Sequence, residues 1–201
     1  NTRQKFNLPV NKKIIISVGR NHPKKGFIDL IDSLKILNKK SNKFAVLVVG
    51  EGSKNLLNRA KKIGQERNFF SIDKIEPKKN ISFPSDDLIS LYKSSDYFVL
   101  PSYIEGHPNV AVEASISGLP LILTNAPGCK DIIKHEYSGL SINTNSPNEI
   151  SDSVIRLEKD INLKKKIIKN SKKKLIQNDW NFIAKNYLSL YKNMNMQLNL
   201  K

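Results

Sequence analysis

A doubly wound parallel α/β sheet is the fold class that this chain predicts, and three observations lead to it. Several apolar runs of strand length are nearly continuous rather than alternating, as strands covered on both faces require. Each is followed by a longer stretch whose apolar residues recur at helical spacing. After "SPNEI" the pattern becomes wholly helical, which appends helices rather than further strands. Right-handed crossovers between such strands give a sandwich of helices around one sheet.

The first strand is "IIISVG", from Ile14 to Gly19. "KGFIDLIDSLKILNKK" follows as a helix, with Phe27, Leu30, Ile31, Leu34 and Leu37 on one face. "FAVLVVGEG" is a second buried strand, and "SKNLLNRAKKIGQERN" a helix that turns Leu56, Leu57, Ala60 and Ile63 inward. "NISF" is the expected third strand. Ser85 then caps a helix with acidic residues in its first turn and Leu88, Leu91 and Tyr92 facing in. "YFVLP" and "LILT" are the fourth and fifth strands, separated by a helix that ends at Gly118 and Pro120. "GLSIN" is a candidate sixth strand, and helices are expected at 150–157, 163–175 and 180 to about 194. No linker, repeat or low-complexity segment interrupts the pattern, so residues 1–201 read as a single Rossmann-like domain.

The formal charge of +16 rests on 29 lysines against five arginines. Lys, Asn and Ile are abundant together, so part of the charge reflects compositional drift. A solvated lysine surface competes with attraction to anionic lipid, to a nucleotide or to nucleic acid. Nucleic acid is the weakest of these, because no motif appears and few aromatics interleave with the lysines. "KKKIIKNSKKK", from Lys164 to Lys174, has Ile at helical spacing and reads as an amphipathic helix with an affinity for anionic membranes. No apolar run approaches the roughly 18 residues of a membrane span. The polar N-terminus lacks the apolar core of a signal peptide. Lone Cys129 forms no internal disulfide, which fits a cytoplasmic protein, peripheral at most on the inner membrane face.

In an open parallel sheet, ligands bind beyond the carboxyl ends of the strands, where helix N-termini converge. Three loops at that edge carry unusual chemistry. In "VGRNHPKKGF", Arg20 leaves the strand and Lys24 and Lys25 precede Gly26; an Arg fork plus a Lys point charge suits a diphosphate, although ordinary surface cations are the alternative, above all for Lys24. "VVGEGSKN" contains G-x-G, but the third Gly and the later acidic residue of a dinucleotide fingerprint are absent, and a tight turn accounts for it. In "YIEGHPNVAVEASISGLP", Glu105 and Glu113 stand eight residues apart around a loop of Gly106 and Pro108, with Asn109 placed to cap the next helix. The apolar neighbours of Glu113 imply burial, and a buried carboxylate needs a partner. That partner is Arg20 or Lys25 if Glu113 only holds the fold together. Paired carboxylates also suit glycoside hydrolysis. A ligand that joins phosphates to sugar hydroxyls explains cations and acids on one edge, since ionised carboxylates accept from hydroxyls.

The segments "ISVGRNHPKKGFIDLIDSLKIL", "VLVVGEGSKNLLNRAKKIG", "ISFPSDDLISLYKSSDYFVLPSYIEGHPNVAVEASISGLPLILTNAPGCKDIIKHEYSGL" and "WNFIAKNYLSLY" together resemble the C-terminal, donor-binding domain of family 4 retaining glycosyltransferases, the group 1 enzymes of the GT-B fold. Glu105 and Glu113 match the family's E-x7-E motif. The resemblance implies a nucleotide-diphosphate sugar as donor, no cofactor, no obligatory metal, and front-face retaining hexosyl transfer to a glycan or lipid-linked acceptor in surface-polysaccharide synthesis. By position, Arg20 and Lys25 would hold the diphosphate beside Gly19 and support its departing charge. Glu105 would contact the sugar hydroxyls, backbone N–H groups around Gly106, His107, Pro108 and Asn109 would hold sugar or phosphate, and Glu113 would bind the ribose. Pro84 and Ser85 would lie near the base. His107 stands where Phe is commoner, with packing its expected role. Gly128, Cys129, Lys130 and Asp131 stand where G-G-x-x-E is usual. The helix at 178–196 would pack toward an N-terminal acceptor domain that this chain lacks, and alone the chain would bind donor without transferring sugar. A non-catalytic nucleotide-sugar-binding module and a sugar-nucleotide epimerase are the alternatives.

Overall fold

The computed structural model describes residues 1–39, 42–75, 84–176 and 180–198 of the chain. Six strands form one sheet: β1 (Lys13–Val18), β2 (Phe44–Val49), β3 (Phe69–Ile72), β4 (Tyr97–Leu100), β5 (Leu121–Thr124) and β6 (Leu140–Ile142). Their order is β3-β2-β1-β4-β5-β6, and every pairing is parallel. The chain therefore winds outward from β1 in one direction, then returns to its other side and winds outward again. That reversal opens a crevice between the carboxyl ends of β1 and β4.

Successive strand residues face opposite layers, and both layers are apolar. Ile15, Val46, Val48 and Val99 pack with α2 (Phe27–Leu37), α3 (Leu57–Lys62) and α6 (Pro147–Lys159). Ile14, Ile16, Leu47 and Phe98 pack with α4 (Asp86–Lys93) and α5 (Asn109–Ile116) on the other face. This two-sided burial is why the strand runs read as continuous. All five residues expected to face inward from α2 are buried. Ser85 caps α4 as expected, its Oγ accepting from Leu88 N at 3.3 Å.

Three elements differ from expectation. The third strand is Phe69–Ile72, directly after the expected helix and assigned to no element by the sequence pattern; the expected strand at 80–83 lies outside the described residues. Only Phe69 of β3 is buried, because the strand sits at the sheet edge and needs little apolar continuity. The expected second helix begins as a 3-10 turn, Ser53–Leu56, continues as α3 and stops before Gly64. A short helix, α1 (Thr2–Lys5), occupies the N-terminal segment that reads only as polar. The C-terminal helices are α6, α7 (Ile161–Ile176) and α8 (Trp180–Leu198).

Arg3 of α1 ties this segment to the sheet. Its guanidinium donates to the carbonyls of Ser94 at 2.9 and 2.8 Å, of Lys12 at 2.9 Å and of Pro9 at 3.1 Å, and pairs with Asp96 at 3.0 Å. Asp96 also accepts from Ile14 N and Lys13 Nζ, so a planar fork and one carboxylate together satisfy the start of β1 and the loop before β4. Arg3→Ala leaves that carboxylate and several carbonyls short of donors. It is expected to lower unfolding free energy by about 2 kcal/mol, read as a reduced urea midpoint at unchanged slope.

Candidate functional site

The crevice at the reversal is bordered by the loops that leave β1 and β4. After β1, Gly19 lies against the Lys25 stem: a Cβ there would sit 3.3 Å from Lys25 Cε. Arg20 is exposed and makes no ion pair or hydrogen bond among the described residues. Asn21 N donates to Glu51 O at 2.7 Å and its side-chain amide to Gly52 O at 3.0 Å, which anchors this loop to the one after β2. A single 3-10 turn, Pro23–Lys25, follows, capped by His22 Nδ1 accepting from Lys24 N. Gly26 then takes φ +63° with its Cα against Pro101 O; a Cβ would lie 2.1 Å from that oxygen. Only glycine allows both the left-handed turn and this approach.

That approach fixes Lys25 beside the β4 loop. Tyr103 N donates to Lys24 O at 2.7 Å, and Tyr103 Oη to Asp29 Oδ2 at 2.9 Å. Burial and the Asp29 bond push the Tyr103 phenol up to about 12, so it remains a donor. Lys25 Nζ then meets Glu105 Oε1 at 2.6 Å, and the buried Ser102 hydroxyl donates to the same oxygen at 2.7 Å. Glu105 Oε2 has no partner among the described residues. Behind the loop, Glu105 N donates to Pro127 O at 3.0 Å, and Gly128, at φ +79°, sits where a Cβ would be 2.2 Å from Glu105 O. Cys129 is buried beneath, its thiol pushed up by burial, and it is a packing residue rather than a reactive one.

Glu113 lies on the second turn of α5, half-buried. Its Oε2 accepts from Tyr92 Oη of α4 at 3.0 Å, and Oε1 has no partner among the described residues. Burial pushes its carboxyl above the ordinary value, an effect that the Tyr92 hydrogen bond opposes. The N–H groups of Gly106 and His107, just ahead of α5, are unpaired among the described residues and lie at the positive end of the helix. No three His, Cys, Asp or Glu side chains cluster among the described residues.

Compared with known proteins, residues 1–174 match the family described as glycosyl transferases group 1. The chain belongs to that family. An uncharacterized glycosyltransferase of Methanocaldococcus jannaschii is 29% identical over 194 residues, which is 96% of this chain and 48% of that protein. The N,N'-diacetylbacillosaminyl-diphospho-undecaprenol alpha-1,3-N-acetylgalactosaminyltransferase of Campylobacter jejuni is 35% identical over 105 residues, or 52% of this chain and 28% of its own length. The crystallised C-terminal domain of a group 1 glycosyl transferase from Francisella tularensis superposes with a TM-score of 0.71 at 25% identity, covering 88% of this chain and 92% of that one. The chain thus spans about half, or less, of the curated relatives it matches.

In this group 1 glycosyltransferase domain the tertiary structure joins Lys25 to Glu105 and leaves Arg20 free on the same edge. It does not pair Glu113 with either cation; the partner is Tyr92. Asn109 does not cap α5: it is the first helical residue, follows Pro108 and makes no capping side-chain bond. Pro108 has no N–H, so the free donors here belong to Gly106 and His107. His107 is exposed rather than packed. Asp131 is exposed too, and Lys174 Nζ donates to its backbone carbonyl at 2.8 Å. Ser102, Tyr103 and Asp29 go unremarked in the sequence because each reads as ordinary turn or helix, and Tyr92 reads there only as a core residue. The signal for Ser102 was a small hydroxyl between a strand end and an acidic loop.

The raised Glu113 carboxyl has a sign. A native carboxyl above its unfolded value destabilises the fold when ionised, and that cost disappears as pH falls through the native value. Glu113→Gln keeps an acceptor for Tyr92 and removes the charge. At pH 7 the unliganded variant is expected to melt above wild type, because the partly desolvated charge is gone. Melting curves at descending pH should converge on wild type below the ordinary carboxylate range.

Proposed function

We propose that this domain binds a nucleotide-diphosphate sugar and presents it, within a complete enzyme, for retaining hexosyl transfer to a glycan or lipid-linked acceptor. The contact of Lys25 with Glu105 at the topological reversal carries the reading, because it puts a phosphate-binding cation and a hydroxyl-binding acid in one place. Donor binding exchanges that ion pair for two better-matched ones. Lys25 turns to the diphosphate together with the unpaired Arg20, and Glu105 accepts from sugar hydroxyls while Ser102 keeps it oriented. As the glycosidic bond breaks, negative charge grows on the diphosphate, and the two cations stabilise it without a metal. The free N–H groups of Gly106 and His107 add donors at the same spot. Glu113 takes the ribose hydroxyls, and Ser85, at the start of α4, borders the base.

The Campylobacter relative's lipid-diphosphate acceptor supports the lipid-linked class, and two further surfaces suit such an enzyme. Tyr187, Leu188, Leu190, Tyr191 and Met194 of α8 are each half or more exposed, a face suited to a second domain that carries the acceptor site. On α7, Lys165, Lys166, Lys169, Lys172 and Lys173 share one solvent-facing arc, and the helix has no acidic residue. Lys164 is not part of that face. It sits over the Tyr97 ring at 4.2 Å, half-buried, with its pKa lowered by burial. We assign the arc to anionic lipid headgroups. No described helix is long and apolar enough to cross a membrane.

A panel of nucleotide sugars screened for thermal stabilisation identifies base and sugar, since a ligand bound only by the folded state raises the melting point. Arg20→Ala and Lys25→Ala are each expected to weaken the chosen nucleoside diphosphate by about 1–3 kcal/mol in calorimetry. Unchanged affinity in both would refute the diphosphate clamp. Glu105→Gln should weaken the sugar-bearing donor more than the bare diphosphate; equal losses would remove Glu105 from the sugar. Sedimentation with phosphatidylglycerol vesicles should fall on substituting the five α7 lysines, and binding indifferent to anionic lipid content would discard the membrane face.

A further inference from the structure

We propose that Tyr92 is a positioning residue that makes this site select ribose over deoxyribose, by locking the Glu113 carboxylate in the orientation a sugar diol requires. The inference rests on the assignment of Glu113 to the ribose hydroxyls made above. Tyr92 is fully buried on α4, and its ring packs edge-on to Phe98 with centroids 6.2 Å apart. The phenol oxygen is thus placed by the core, not by a mobile surface side chain. It has one proton and two acceptors in range, Glu113 Oε2 at 3.0 Å and the Val110 carbonyl at 3.4 Å. The shorter contact, to the charged group, takes the proton.

Glu113 Oε1 is left without a partner among the described residues. A ribose diol offers two O–H donors to one carboxylate, and it binds well only when that group is ionised and cannot rotate. Tyr92 supplies both conditions. Burial and the neighbouring Glu113 charge hold its phenol far above the ordinary value, so it donates at any working pH. Its hydrogen bond also opposes the upward push that burial exerts on Glu113. Without the hydroxyl, Glu113 is free to turn and takes up a proton more readily, and the diol loses its fixed acceptor.

The test is calorimetry with UDP and 2′-deoxy-UDP, and with GDP and 2′-deoxy-GDP, on wild type and Tyr92→Phe. Wild type should prefer the ribonucleotide of its base about tenfold. Tyr92→Phe should lose most of that preference by weakening the ribonucleotide alone, with the deoxynucleotide affinity unchanged. A preference kept intact in Tyr92→Phe overturns the positioning role while leaving Glu113 on the ribose. Equal binding of both sugars by wild type overturns the Glu113 assignment and this inference with it. Should the panel above select another base, its ribo- and 2′-deoxy-diphosphates take the place of these four, and no binding of either removes the nucleotide site. In a Glu113→Ala background, Tyr92→Phe should change nothing further, and an additional loss would mean that Tyr92 acts elsewhere. Should Tyr92→Phe fail to fold, Glu113→Asp decides: one methylene shorter, it cannot reach Tyr92 and the diol together, and a retained preference would overturn the proposal.

Discussion

All six strands run the same way, so every strand-to-helix loop leaves the sheet at one edge. The remaining geometry follows from that constraint and from where the winding reverses. Because β1 and β4 are neighbours that feed opposite layers, their loops diverge and leave a crevice between them. Two glycines then bring backbones into direct contact, Gly26 on Pro101 across that crevice and Gly128, after β5, on Glu105 of the β4 loop. With main chains this close, Lys25 and Glu105 meet, although 80 residues separate them in sequence.

The two carboxylates share a design. Each is held at one oxygen by a hydroxyl from the core, Ser102 on Glu105 and Tyr92 on Glu113, and each has its other oxygen unpaired among the described residues. A hydroxyl donor orients an acid without neutralising it, whereas a lysine does both. Glu105 therefore rests as half of an ion pair. Glu113 is half-buried, and its ionised form is disfavoured there. Sites that must accept several hydroxyl donors commonly tolerate such costs, because an acceptor already satisfied by the protein has nothing left to offer.

The charge of +16 is used locally rather than as one field. Arg3 closes the start of the sheet through carbonyls and Asp96, Arg59 pairs with Asp32, and Arg156 with Glu136. Arg20, one of five arginines, stands apart from these as a fork with no partner among the described residues. In a chain this rich in lysine, an arginine without an acid beside it at a ligand-binding edge is more informative than the total charge. The lysines of α7 divide in the same way, Lys164 turned onto an aromatic ring, Lys174 bonded to the Asp131 carbonyl, and the other five solvated along one arc.

The strands β1, β2, β4, β5 and β6, the α2 core face and the Ser85 cap were legible in the sequence, because period and burial are local consequences of side-chain chemistry. β3 was not: its four residues, FFSI, are apolar but too short to show a period, and they follow a helical pattern without a break. The pair of acids and the nearby cations were legible as letters at a spacing. Which cation meets which acid was not: the chain by itself equally allowed Glu113 with Arg20 or Lys25, and only packing between α4 and α5 turned it to Tyr92. Sequence determined that parallel strands would alternate with helices in one sheet and which residue types would gather at one edge. Tertiary structure alone decided the partners, because strand order and glycine-tight loop contacts join residues scores of positions apart, and no local pattern encodes that distance.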